Sequence, residues 1–180
     1  VGGIDILEPG ERAQLLAWSG PDAIMPRPLP DVLVDAVRAN SGGTALVFGD
    51  RSITYAELDE QSTRIARLLL ARGIATGDYV ALGVSRSIES VLGVWSITKA
   101  GAAFVPVDPA YPPDRIAHIL NDSGVRVGLV LAKNLDALRP DGLTREVDWL
   151  VLDSEAVAAE LAGLPTDEIT DADRTRPLQV

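Results

Sequence analysis

The chain has 180 residues, 47% apolar and 23% charged, with a formal net charge of -10 and no cysteine. That length suffices for one domain burying about 70% of its unfolded surface. The acidic balance argues against nucleic-acid and anionic-membrane partners, which select for Lys and Arg, and the missing cysteines exclude disulfides, thiolate nucleophiles and Cys-based metal sites, as in a cytoplasmic protein.

A short amphipathic helix is predicted from Leu7 to Trp18, with Glu8, Pro9 and Glu11 in its first turn. Ser19 to Pro30 holds four prolines and reads as a surface loop. Asp31 suits the cap of a helix running to Asn40, broken by Ser41-Gly42-Gly43. Thr44–Phe48 and Arg51–Ile53 form a hairpin about the Gly49-Asp50 turn. Thr54 and Glu57 make a capping-box pattern for a helix reaching Arg72, with Leu58, Ile65 and Leu69 on one stripe.

Regular alternation follows. Strands are expected at Tyr79–Val84, Ala102–Val107, Val125–Leu131 and Asp148–Leu152. Helices are expected at Ser87–Ala100, Asp114–Ser123, Asn134–Leu138 and Ser154–Ala162. Strand-helix repetition at this spacing predicts an α/β fold: a mostly parallel, layered sheet with helices on both faces. The acidic tail from Gly163 to Val180 reads as irregular and mobile. No apolar run approaches the ~20 residues of a spanning helix, and no signal-peptide pattern opens the chain. The first residue is Val1, as expected of an excerpt from something longer.

The densest information lies between Ile97 and Pro113. Lys99 occupies a last helical turn, where a cation meets the negative end of the helix dipole. Gly101 stands where a chain leaving a helix commonly takes positive φ. Pro106, Pro109, Pro112 and Pro113 then stiffen the exit of a short apolar strand. In open α/β sheets, ligands bind beyond such strand ends.

Lys99-Ala100-Gly101-Ala102-Ala103-Phe104-Val105-Pro106-Val107-Asp108 resembles the second core motif of amino-acid adenylation domains in nonribosomal peptide synthetases, and the likeness runs on to Ile116. Ile53-Thr54-Tyr55-Ala56-Glu57-Leu58 resembles the first core motif. Asp173-Arg174-Thr175-Arg176-Pro177-Leu178 resembles the stretch shortly before the family's phosphate-binding loop. The resemblance therefore implies an incomplete large subdomain of an adenylate-forming fold. Residues 1–29 would be an entering helix and interdomain linker, and 30–180 the N-terminal portion of the subdomain, ending before the phosphate loop. It also implies a parent enzyme that activates an amino acid with ATP and Mg²⁺ and loads it on a carrier domain's phosphopantetheine thiol. An upstream condensation domain, the remainder of the adenylation domain and a small accessory activator protein are the implied partners.

No residue qualifies as catalytic, cofactor-binding or metal-binding on sequence grounds. Thr54 and Glu57 read as a helix start, and Tyr55 as packing. Asp108 and Tyr111 sit on the proline corner as candidate walls of a ligand crevice, without a visible activating partner. His118 is the only histidine, so no second imidazole is available for a metal cluster. Asp141, Asp148, Asp153, Asp167, Glu168, Asp171 and Asp173 are scattered in the manner of a solvated surface. Neither G-x-x-x-x-G-K-[ST] nor G-x-G-x-x-G occurs. Two rival expectations are an acyl- or aryl-CoA ligase of the same superfamily and a non-catalytic docking half-domain. Asp108 favours the amino-acid branch over the former.

Overall fold

In the computed structural model, which describes residues 7–18, 20 and 25–178, the alternating pattern becomes a four-stranded parallel sheet with an antiparallel ribbon beside it. The helices are α1 (Pro9–Ala17), α2 (Leu29–Asn40), α3 (Tyr55–Ala71), α4 (Ile88–Lys99), α5 (Pro113–Ser123) and α6 (Glu155–Ala162). The ribbon pairs β1 (Thr44–Phe48) with β2 (Arg51–Thr54). The sheet contains β3 (Tyr79–Gly83), β4 (Ala103–Pro106), β5 (Val127–Val130) and β6 (Asp148–Val151), in the order β4-β3-β5-β6. The chain therefore steps from β3 outward to β4, then returns across β3 to β5.

The period-two alternation of each strand divides the sheet between two cores. Val80, Leu82, Leu129 and Leu150 point to one face, where they meet Leu58, Ile65 and Leu69 of α3, Ile88, Leu92 and Ile97 of α4, and Leu33 of α2. Ala81, Val130 and Trp149 point to the other, against Ile116 and Leu120 of α5 and against Leu138. Helical cover on both faces explains why β5 is buried at every position. Gly128 is required by this packing, because a Cβ there would run into the Trp149 ring.

Local signals hold where the partners are close in sequence. Thr54 N donates to Glu57 Oε2 at 2.7 Å, and Glu57 N donates to Thr54 Oγ1 at 3.2 Å. Gly124 stops α5 in the left-handed region with φ of 63°.

Several expectations need correcting. Asp31 is not a cap: α2 begins two residues earlier at Leu29, after Pro28, which leaves Asp31 in the first turn. Prolines fix φ at a helical value and have no donor to lose in a first turn, so they start the helix earlier. The helix expected at Asn134–Leu138 is two 3₁₀ turns, Ala132–Asn134 and Asp136–Leu138. The loop expected over Ser19–Pro30 lies partly outside the described residues, and its last two belong to α2. The tail through residue 178 packs onto the domain rather than standing free. Ile169 is 6% exposed, Thr76 N donates to Thr175 Oγ1 at 3.0 Å, and Thr76 Oγ1 donates to the Arg176 carbonyl at 2.8 Å.

Candidate functional site

At the carboxyl ends of β3 and β4, Val84, Ser85 and Arg86 face Pro106, Asp108, Pro109 and Tyr111 across a cleft of about 610 Å³. The structure thus brings both residues of the predicted corner to one strand-end crevice. Asp108 is committed locally: its Oδ1 accepts from Ala110 N at 2.9 Å and its carbonyl accepts from Tyr111 N at 3.0 Å. Those bonds fold the corner back on itself. Tyr111 remains exposed. Among the described residues no base or nucleophile is hydrogen-bonded to either side chain, so the pair shapes a wall of the crevice. Where the chain reverses beside β3, the buried Asn134 extends Nδ2 to Ser85 Oγ at a long 3.5 Å. Sequence reasoning missed Asn134, because its partner lies 49 positions away.

Lys99 has a larger role than its helix position suggested. Its ammonium donates to Asp59 Oδ1 at 2.6 Å, to the Asp59 carbonyl at 2.9 Å and to Thr63 Oγ1 at 2.8 Å. The side chain is 6% exposed. Burial pushes the Lys99 pKa below its ordinary value, and the Asp59 carboxylate opposes that shift. All three ammonium hydrogens are spent on α3, so Lys99 ties α4 to α3 and has no donor left for a ligand. Arg174 Nε completes the tie by donating to the Lys99 carbonyl at 2.9 Å. Lys99 and Arg174 adjoin a cleft of about 490 Å³ walled by Val34 and Val37 of α2 and Ile169 of the tail.

The remaining candidates are structural. Tyr55 packs half-buried on the core, and His118 is exposed on α5. Glu57 lies below the usual carboxylate range because the Thr54 backbone N–H and hydroxyl donate to it. Arg72 pairs with Asp148 and Glu160, each at 2.8 Å. Arg67 pairs with Asp167 at 2.7 Å and Asp173 at 3.3 Å. Asp153 Oδ1 accepts from Ala132 N at 2.7 Å. Asp171 pairs with Arg174, and Glu168 lies 3.8 Å from Arg38. Asp141 is exposed. Apart from Asp141, these acids are thus occupied with holding loops and helices in place.

A sequence model described as "AMP-binding enzyme" matches residues 33–178. The chain belongs to that AMP-binding enzyme family. The resemblance in the two core-motif stretches is borne out by relatives of this family member. A dimodular nonribosomal peptide synthase of Bacillus subtilis is 32% identical over 180 residues, covering 99% of the chain and 7% of the relative. The chain is thus far shorter than this relative. Among solved structures, the nonribosomal peptide synthetase FmoA3 gives a TM-score of 0.80 over 98% of the chain and 18% of its own. At 24% identity, that likeness shows the fold alone. A fatty acyl CoA synthetase of Mycobacterium tuberculosis is 30% identical, with a TM-score of 0.65 over 77% of the chain and 29% of its own.

The family's description implies a nucleotide, and among the described residues neither Gly83 nor Gly93 belongs to a phosphate-binding turn. Phosphate capture needs backbone N–H groups converging from a glycine-rich turn, with basic side chains beside them. Gly83 instead ends a strand against the Leu138 side chain, and Gly93 sits inside α4 against Leu82. Among the described residues, no three His, Asp or Glu side chains converge as a metal ion requires.

Proposed function

We propose that this chain is the opening scaffold of an amino-acid adenylation domain in a nonribosomal peptide synthetase. The parent enzyme joins an amino acid to ATP, releases pyrophosphate and passes the acyl group to a carrier-domain phosphopantetheine thiol. In this reading residues 1–29 lead in from a condensation domain, and 30–180 begin the large subdomain. The phosphate loop, the Mg²⁺ site and the amino-acid pocket lie in further sequence of the parent. An accessory activator protein is a compatible partner.

The observation that carries the reading is the family match over 33–178 together with a nonribosomal peptide synthase relative aligned to nearly the whole chain. The geometry supports a scaffolding role. The second motif stretch builds the end of α4, the edge strand β4 and the rigid corner before α5, and Lys99 locks that unit to α3. Adenylation catalysis depends on holding reactants and charge-stabilising groups in fixed positions, so a stiff sheet under the site serves the chemistry indirectly.

The test is amino-acid-dependent ATP–pyrophosphate exchange, measured on the isolated 180 residues and on a longer protein that contains them. The expected outcome is no exchange from the isolated chain and exchange with a particular amino acid from the longer protein. Exchange by the isolated chain would overturn the scaffold role. The fatty acyl CoA synthetase likeness supports a second reading, in which the longer protein responds to fatty or aryl acids and to no amino acid.

A further inference from the structure

Among the described residues no helix or strand follows α6, and of residues 165–178 only Ile169 is buried. The segment is nevertheless fastened at three places. On α3, Arg67 pairs with Asp167 at 2.7 Å and with Asp173 at 3.3 Å. At the end of α4, Arg174 Nε donates to the Lys99 carbonyl at 2.9 Å. Before β3, Thr76 Oγ1 donates to the Arg176 carbonyl at 2.8 Å, and Arg176 Nη2 donates back to the Thr76 carbonyl at 2.6 Å. These attachments are polar, and their acids stand in water: the Asp167 side chain is 73% exposed and that of Asp171 56%.

A segment held by exposed polar contacts, with little apolar area buried, opens at a lower free energy than the core around it. Ion pairs at such exposure also weaken as salt is added. Beneath this segment lies Lys99. Its side chain is 6% exposed, and it shares the α2 cleft with Ile169, Thr170, Asp171 and Arg174.

We propose that residues 165–178 are a releasable strap, which opens as a unit while both cores stay folded and uncovers the Lys99–Asp59 tie. Ionic strength sets how often it opens, because the Arg67 pairs are part of its hold. The device is independent of the adenylation reading.

The chain carries two lysines, which makes the opening measurable. Lys133 is exposed on the first 3₁₀ turn and serves as the internal standard. The 180-residue chain is treated with acetic anhydride, and modification of each lysine is followed by peptide mass spectrometry. Lys99 is expected to react at least tenfold more slowly than Lys133 at low salt. Raising sodium chloride to about 1 M should speed Lys99 relative to Lys133 at least threefold. Thr76→Val removes one fastening hydroxyl and should do the same at low salt.

Ile116→Val separates strap opening from unfolding of the whole domain. It trims a fully buried side chain in the α5 core and lowers global stability. The Lys99 to Lys133 ratio is expected to stay within twofold of wild type in this variant. Lys99 reacting as fast as Lys133, or not at all, would overturn the proposal. So would a ratio that rises with Ile116→Val, or one indifferent to both salt and Thr76→Val.

Discussion

The Lys99 ammonium on α4 lies 2.6 Å from the Asp59 carboxylate on α3 and joins positions forty residues apart. Thr63 and the Asp59 carbonyl take the remaining ammonium hydrogens, so the cation is enclosed by acceptors at the junction of the two helices. This contact, rather than the helix dipole alone, explains why a lysine ends α4.

Replacing Lys99 with Met keeps most of the stem and removes the charge. The buried acceptors then lose their donor, and the expected loss is about 3 kcal/mol, the low end for a broken buried pair. The low end applies because Asp59 is 30% exposed and regains some water. Urea unfolding at neutral pH measures the loss. The pH dependence has a definite sign. Folding lowers the Lys99 pKa below 10.5, so between the depressed value and 10.5 the unfolded chain holds more protons. The stability of wild type relative to Lys99→Met should therefore rise with pH through that window. A flat or falling difference would contradict the burial described.

Arg174 holds the tail. Its side chain is 5% exposed and donates to the Lys99 carbonyl at 2.9 Å, to the Ile169 carbonyl at 3.2 Å and to Asp171 at 2.9 Å. Arg174→Ala is expected to cost about 2 kcal/mol, since several charge-assisted bonds to buried carbonyls vanish together. Hydrogen exchange should show protection falling across residues 163–178 while α3 and α4 keep theirs. Unchanged protection in the tail would mean that Ile169 packing alone retains it.

Pro106 guards an open edge. Ala103 N and Val107 N donate to β3, at the Asp78 and Leu82 carbonyls, so odd-numbered positions of β4 face the sheet. Phe104 and Pro106 then face the side where β4 has no further strand among the described residues. Proline has no N–H to offer an incoming strand. Pro106→Val should leave intrinsic stability within about 0.5 kcal/mol and increase self-association in sedimentation velocity. A variant as monomeric as wild type at the same concentration would remove this role from Pro106.

The sequence alone determined the elements whose causes are local. The Thr54–Glu57 box, the Gly49-Asp50 hairpin turn and the Gly124 stop each involve groups within a few residues, so their geometry follows from residue type. Strand-helix alternation likewise implied the parallel sheet with helices on both faces. The motif stretches also pointed to the family that the comparisons show.

Only the tertiary structure decided what crosses between elements. Which cation pairs with Asp59 and which acceptor Arg174 finds both depend on how α3, α4 and the tail are packed. Charged side chains are interchangeable in a composition but not in a core, where distance and loss of water determine which contacts survive. The acidic tail appeared mobile by composition, and the burial of Ile169 and Arg174 under α2 and α4 made it part of the domain.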